Sequence, residues 1–301
     1  MTYLPKIQPT HSMRILLLLI GSILLSYGQE KVLFFQTDWG NQLSWNDFCE
    51  RAKTSGYDGL EIWLPSGSDD QKDLKAALKE HGLLLNLLHG THKGLPFQES
   101  LELYKKGLEA LMLWKPVLIN SQTGSDFFSL EQNKAFIEVA NTLSSQYNIP
   151  VYHETHRGRF SYNLPDTNTY LNLIPDLKLT LDISHWMVVH ESLLEGKDAL
   201  LSTVKDRSHH IHARIGHAEG PQVNDPQAPE WNKALERHLG IWEEVIRNSW
   251  KKHKGVFTVT TEFGPADYMP TLPYTRIPVT DQWQANVYMM KRLKERLKLN
   301  K

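Results

Sequence analysis

Eight times along this chain, a short run of Leu, Ile, Val or Phe is followed by a longer stretch with apolar residues at helical spacing. The predicted strands are Val32–Gln36, Gly59–Leu64, Leu83–His89, Pro116–Gln122, Val151–Glu154, Leu177–Asp182, His209–Ile215 and Phe257–Glu262. The predicted helices are Ser44–Ser55, Asp70–His81, Gln98–Leu113, Ser129–Tyr147, Asp166–Ile174, Gly196–Lys205, Pro229–Lys252 and Thr280–Leu299. Apolar strands alternating with helices are parallel strands covered on their outer faces. Eight such units fit a closed (β/α)8 barrel of the TIM type, which typically takes about 250 residues. The alternative is an open doubly wound sheet. It would place a glycine-rich phosphate loop after the first strand, and QTDWGN (36–41) is not one.

The strands end in charge. VYHETHRGR (151–159), LTLDISHW (179–186), HHIHAR (209–214) and VTTEFG (259–264) each begin apolar and close on His, Asp, Glu or Arg. Charges are rarely buried unless paired or bound to metal, and barrel active sites lie at the C-terminal strand ends. Four such tips therefore predict one shared pocket. The long stretches 216–229 and 264–278 follow the last two tips and are rich in Gly, Pro and polar residues, as lid loops are.

If the tips of strands five to eight converge, Glu154, Asp182, His212 and Glu262 form a mixed carboxylate and imidazole set. Such a set suits one divalent ion, Mn, Co, Mg or Zn. The plainer alternative is that each residue caps a helix or pairs with a nearby arginine. The remaining tips offer Glu61, Trp63, His89, Gln122, His156, Arg157, His185 and Arg214 for substrate. HETH (153–156) has neither the spacing nor the helix of a zincin motif. Trp39, Trp63 and Trp186 could stack on a sugar ring, with packing as the alternative for each. Arg157, Arg159 and Arg214 are candidates for a phosphate or carboxylate.

Composition narrows the class. The 301 residues carry a formal net charge of -1 and are 41% hydrophobic, so no basic excess points to nucleic acid. The single cysteine, Cys49, rules out an intrachain disulfide and a cysteine zinc site. Its helical surroundings predict a core position. Lys6, His11 and Arg14 precede the apolar run 15–25, and the small residues Ser26 and Gly28 follow on either side of Tyr27. This predicts a signal peptide over 1–28 and a single barrel domain over 29–301, exported, to a periplasm, without a lasting membrane anchor. An internal start at Met13 is the variant reading, and an uncleaved anchor is disfavoured because the run is short for a span.

On these residues the chain resembles the xylose-isomerase-like barrel superfamily, which includes ketose 3-epimerases, inosose dehydratases and endonuclease IV. The resemblance covers residues 31–299 and is carried by the strand-and-helix order. Its specific residues are Glu154, Asp182, His212 and Glu262, the Asp-x-x-His pattern Asp182–His185, and GLEIW (59–63). It implies one divalent metal on those four residues, His185 at the substrate, and Glu154 and Glu262 as the proton-transfer pair of a sugar isomerase or epimerase. Two features depart from the family pattern. The region after Glu154 reads THRGRF where the epimerases carry a further Glu, and Arg214 follows His212 closely rather than several residues later. A lyase, dehydratase or keto-glycoside-hydrolysing enzyme on the same metal, and a non-catalytic carbohydrate-binding barrel, are the competing expectations. The expected partner is a small carbohydrate. Self-association is left open.

Overall fold

The computed structural model describes residues 30–253 and 255–299. The predicted signal peptide over 1–28 lies outside the described residues. The strands are β1 (Lys31–Thr37), β2 (Gly59–Trp63), β3 (Leu84–Gly90), β4 (Ile119–Gln122), β5 (Val151–Glu154), β6 (Leu179–Leu181), β7 (Ser208–Ala213) and β8 (Val256–Thr261). All pair in parallel, each with its neighbour in sequence, and β1 closes onto β8. The fold is therefore the closed (β/α)8 barrel.

Helices α1 (Trp45–Ser55), α2 (Ser68–His81), α3 (Phe97–Met112), α4 (Leu130–Tyr147), α5 (Leu164–Leu173), α6 (Ile183–Val189), α7 (Asp198–Arg207), α8 (Asn232–His253) and α9 (Gln282–Leu297) cover the strands. Local chemistry sets their ends. Ser44 accepts from the Asp47 N–H at the start of α1, and Ser129 with Gln132 forms a capping box at α4. Gly82 ends α2 at φ 60, a conformation glycine adopts without strain. The stripe Leu235, Leu239, Trp242, Ile246 and Trp250 on α8 is buried against the barrel, as is Cys49 on α1. Among the described residues no helix is long and apolar enough to cross a membrane.

Two departures from the sequence reading bear on the site. Residues 183–189 form a helix where a strand tip continuing into loop was expected. Asp182 caps it by accepting from the Ser184 N–H at 3.0 Å. The β6–β7 register also shifts, from Leu179 against Ser208 to Thr180 against His210. His209 is thus an extra residue. The bulge sets the facing of the residues beyond it, and His210 and His212 both reach Glu61.

Candidate metal centre

Side chains alternate along a strand, so the register decides which ones enter the barrel. Glu154 ends β5, Asp182 follows β6, His212 lies near the end of β7 and Glu262 follows β8. Each of the four offers a ligand atom, and these atoms all lie within 4.8 Å of one another. His212 Nδ1 is 3.1 Å from Glu262 Oε2 and 3.7 Å from Glu154 Oε1. All three of these atoms are buried and lack a hydrogen-bond partner. Buried polar atoms are rarely left so. Three that face one another, two anionic and one basic, match what a divalent cation requires.

The far sides of Glu154 and His212 are held by other side chains. Glu154 Oε2 accepts from Asn120 Nδ2 at 2.9 Å. His212 Nε2 lies 2.5 Å from Glu61 Oε1. Since a carboxylate there only accepts, Nε2 carries a proton and Nδ1 becomes the ligand atom. This is the carboxylate–histidine arrangement that orients a metal-bound imidazole. Asp182 is more occupied than its neighbours. Its Oδ1 accepts from Ser184 N and Oγ, and its Oδ2 pairs with Arg214 Nη2. Arg214 Nη1 also lies 3.4 Å from Glu262 Oε2. For Asp182, then, the cap and the arginine pair are both real, alongside its place in the four-residue set.

The electrostatics ask for positive charge. Burial opposes charge on His212, but the Glu262, Glu61 and Glu154 carboxylates outweigh it and raise the imidazole well above its ordinary value. Burial pushes the Glu154 carboxyl up, yet His212 beside it prevails and brings it down to about 2. Burial pushes Asp182 up to about 7; Arg214 pulls against this, and Glu262 and Glu154 push with it. Glu61, Glu154, Asp182 and Glu262 gather around His212, with Arg214 and the His210 and His185 rings beside them. A divalent cation would take over from the His212 proton, since metal binding displaces protons from its ligands.

The structure corrects several expected substrate contacts. Glu61 lies beneath His212 rather than at the mouth. Besides His212 it meets His210 at 3.0 Å, and it accepts from Asn86 at 3.1 Å and Thr260 at 3.0 Å. His89 points outward, because it is three residues from inward-facing Asn86. It packs on Tyr104 and Gly107 of α3, with Nε2 2.8 Å from the Tyr104 carbonyl. Arg214 is held by Asp182 and Glu262. Trp186 is wholly buried, its indole N–H donating to the Ser161 carbonyl at 2.9 Å, so it cannot stack on a ligand.

Other expected residues do reach the mouth. Trp63 is 48% exposed and lies over Gly90 beside Gln122. The His156 and His185 rings stand 4.0 Å apart next to Glu154. Arg157 donates to the Tyr268 hydroxyl at 3.0 Å. Tyr268 comes from the loop after β8, and its ring also lies 4.8 Å from the Arg214 guanidinium and 4.8 Å from the Trp39 ring. Sequence reasoning missed Asn120, Tyr268 and Asp38. The last is a β1-tip carboxyl that burial pushes up to about 7. The signal for Asn120 was present: a polar residue two before Gln122, on the same strand face.

Residues 49–241, more than half of the chain, match one family description. The chain belongs to the xylose isomerase-like TIM barrel family. Solved structures similar to this family member agree in fold. A 3-keto-D-glucoside 4-epimerase from E. coli is 18% identical, with a TM-score of 0.56, over 88% of this chain and 100% of that one. A probable 3-DHS dehydratase from Bacillus anthracis is 19% identical, TM-score 0.55, over 88% and 99%. Endonuclease IV from Thermus thermophilus is 14% identical, TM-score 0.55, over 90% and 100%. No curated protein sequence matches the chain.

Proposed function

We propose that this barrel is a divalent-metal-dependent enzyme that moves a proton on the carbon beside a carbonyl of a carbohydrate, as an isomerase or epimerase does. The observation that carries the reading is the convergence of Glu154 Oε1, His212 Nδ1 and Glu262 Oε2, buried and without a hydrogen-bond partner. When bound, the cation supplies Lewis-acid polarisation of the carbonyl oxygen. Asp182 completes the ligand set, and Mn, Co, Mg and Zn all suit it.

Glu154 and Glu262 are the proton-transfer carboxylates. Asn120 fixes one oxygen of Glu154 and leaves the other open. His185 and His156 stand beside Glu154, and Trp63 lies beside Gln122 over Gly90. The Tyr268 loop closes over Arg157 and Arg214 and limits water at the reacting carbon. The leader over 1–28 places this enzyme outside the cytoplasm in the same proposal.

A second reading, a lyase on a keto-sugar, is favoured by one asymmetry. Arg214 lies against Glu262, whereas among the described residues Glu154 forms no ion pair with an arginine or lysine. Two unequal carboxylates suit removal of a proton by one base and loss of water or an aglycone. Elemental analysis followed by a panel of ketoses and keto-glycosides with added Mn2+ tests both. Recovery of an epimer or isomer supports the first reading; loss of water or aglycone supports the second. Undiminished turnover in the Glu154→Gln, Glu262→Gln double variant would sink the assignment of both carboxylates.

A further inference from the structure

Two arginines are buried at the barrel mouth, and among the described residues only one of them has a counter-ion. Arg214 is paired with Asp182 and Glu262. Arg159 is 5% exposed, yet among the described residues it makes no ion pair within 4.0 Å. Its donors go to neutral oxygens instead. Nη1 donates to the Thr91 carbonyl at 2.7 Å and the Gly124 carbonyl at 3.4 Å, and Nη2 donates to Gln122 Oε1 at 3.3 Å. Nε is buried without a partner. A buried charge ordinarily has a partner of opposite sign. The Nε–Nη2 edge of a guanidinium is a fork that takes a carboxylate bidentately, and here Nε has no partner while Nη2 spends one donor on Gln122.

Arg159 lines a cavity of about 620 Å3 between the loops after β3, β4 and β5. That volume lies within the roughly 300–1,000 Å3 typical of small-molecule sites. Its other walls include His92, Lys93, Phe127 and Phe128. The acid on its rim, Asp126, is exposed and accepts from the Ser125 hydroxyl at 3.3 Å. Side chains of one strand link Arg159 to the metal centre. Gln122, which Arg159 holds, is two residues from Asn120 on the same strand face, and Asn120 holds Glu154.

We infer that the substrate is a sugar acid whose carboxylate is gripped by Arg159. Its body lies against Phe127 and Phe128, and its reacting end points to Glu154. The inference rests on the carbonyl chemistry proposed above only for where the reacting end lies. One planar fork suits a carboxylate; a phosphate dianion would find this single buried cation with Asp126 nearby.

The test is calorimetric titration of the purified protein with a panel of hexuronates and aldonates. Each acid is compared with its neutral methyl ester or amide, with hexose phosphates as a further arm. Titrations are run with chelator and again with Mn2+. At least one acid is expected to bind roughly tenfold to a hundredfold tighter than its neutral derivative, the range for hydrogen bonds to a charged group. Arg159→Lys, which keeps the charge and loses the fork, should shrink that gap, and Arg159→Gln should abolish it, with near-UV circular dichroism confirming the fold. The inference is overturned if no acid outbinds its neutral derivative, if hexose phosphates outbind every acid, or if Arg159→Gln keeps the gap. An acid preference that survives in chelator while elemental analysis finds no metal would remove the metal reading and leave this one standing. Metal binding without acid preference would do the reverse.

Discussion

Replacing Glu61 by Gln isolates the role of a carboxylate set behind a proposed ligand, His212. Glu61 sits beneath His212 with one oxygen 2.5 Å from Nε2 and the other taken by His210, Asn86 and Thr260. Gln fills the same space and can keep an acceptor toward His212. Its NH2 group must then face Asn86 Nδ2, donor against donor, and the negative charge behind the imidazole is lost. Changing an orienting group of this kind typically lowers metal affinity by about 10- to 100-fold, which is about 1.4–2.8 kcal/mol. Glu262→Gln, which alters a proposed ligand, should cost more. The assay is competition for Mn2+ or Zn2+ against a chromogenic chelator, with thermal unfolding of the metal-free variants run alongside. A folded Glu61→Gln protein with wild-type metal affinity would show that Glu61 does not set the His212 lone pair. A loss equal to that of Glu262→Gln would place Glu61 among the ligands instead.

Three further outcomes follow from the same geometry. Burial pushes His89 and His238 down to about 4, and His238 stays neutral to accept the Gly216 N–H at 3.2 Å. The unfolded chain, titrating near 6.5, then binds more protons between those values. The contribution is therefore complete above 6.5 and lost as pH falls toward 4, by at most about 3 kcal/mol per histidine. Urea unfolding as a function of pH reads this directly; a profile flat across that window contradicts it. Arg214→Met leaves Asp182 and Glu262 without their buried partner, which should cost about 3–5 kcal/mol and be partly restored by added divalent metal. Equal melting-temperature losses with and without metal would count against the centre. Gly59→Ala places a Cβ 2.5 Å from the Leu84 carbonyl oxygen and 2.5 Å from the Phe35 ring. Such overpacking costs about 1–3 kcal/mol or more, so an unchanged melting temperature would refute the close strand approach.

The sequence by itself determined the order of strands and helices, because the apolar periods of a buried strand and of a helix covering it differ. It also marked the mouth, since runs such as VYHE and VTTEF can end in charge only where partners or a ligand wait. The residues that share the centre, Glu154, Asp182, His212 and Glu262, were legible on that ground. What each side chain does there was decided by tertiary structure. Glu61 and His89 both end apolar runs, yet pairing of Glu61 with Asn86 puts one inside the barrel and the other against α3. The bulge at His209 shifts the β6–β7 register, and no local pattern announces it. Arg214 and Arg159 read alike as strand-tip arginines. One meets carboxylates carried by β6 and β8 and the other meets only neutral oxygens, because the partners of a buried charge come from elements far away in the chain.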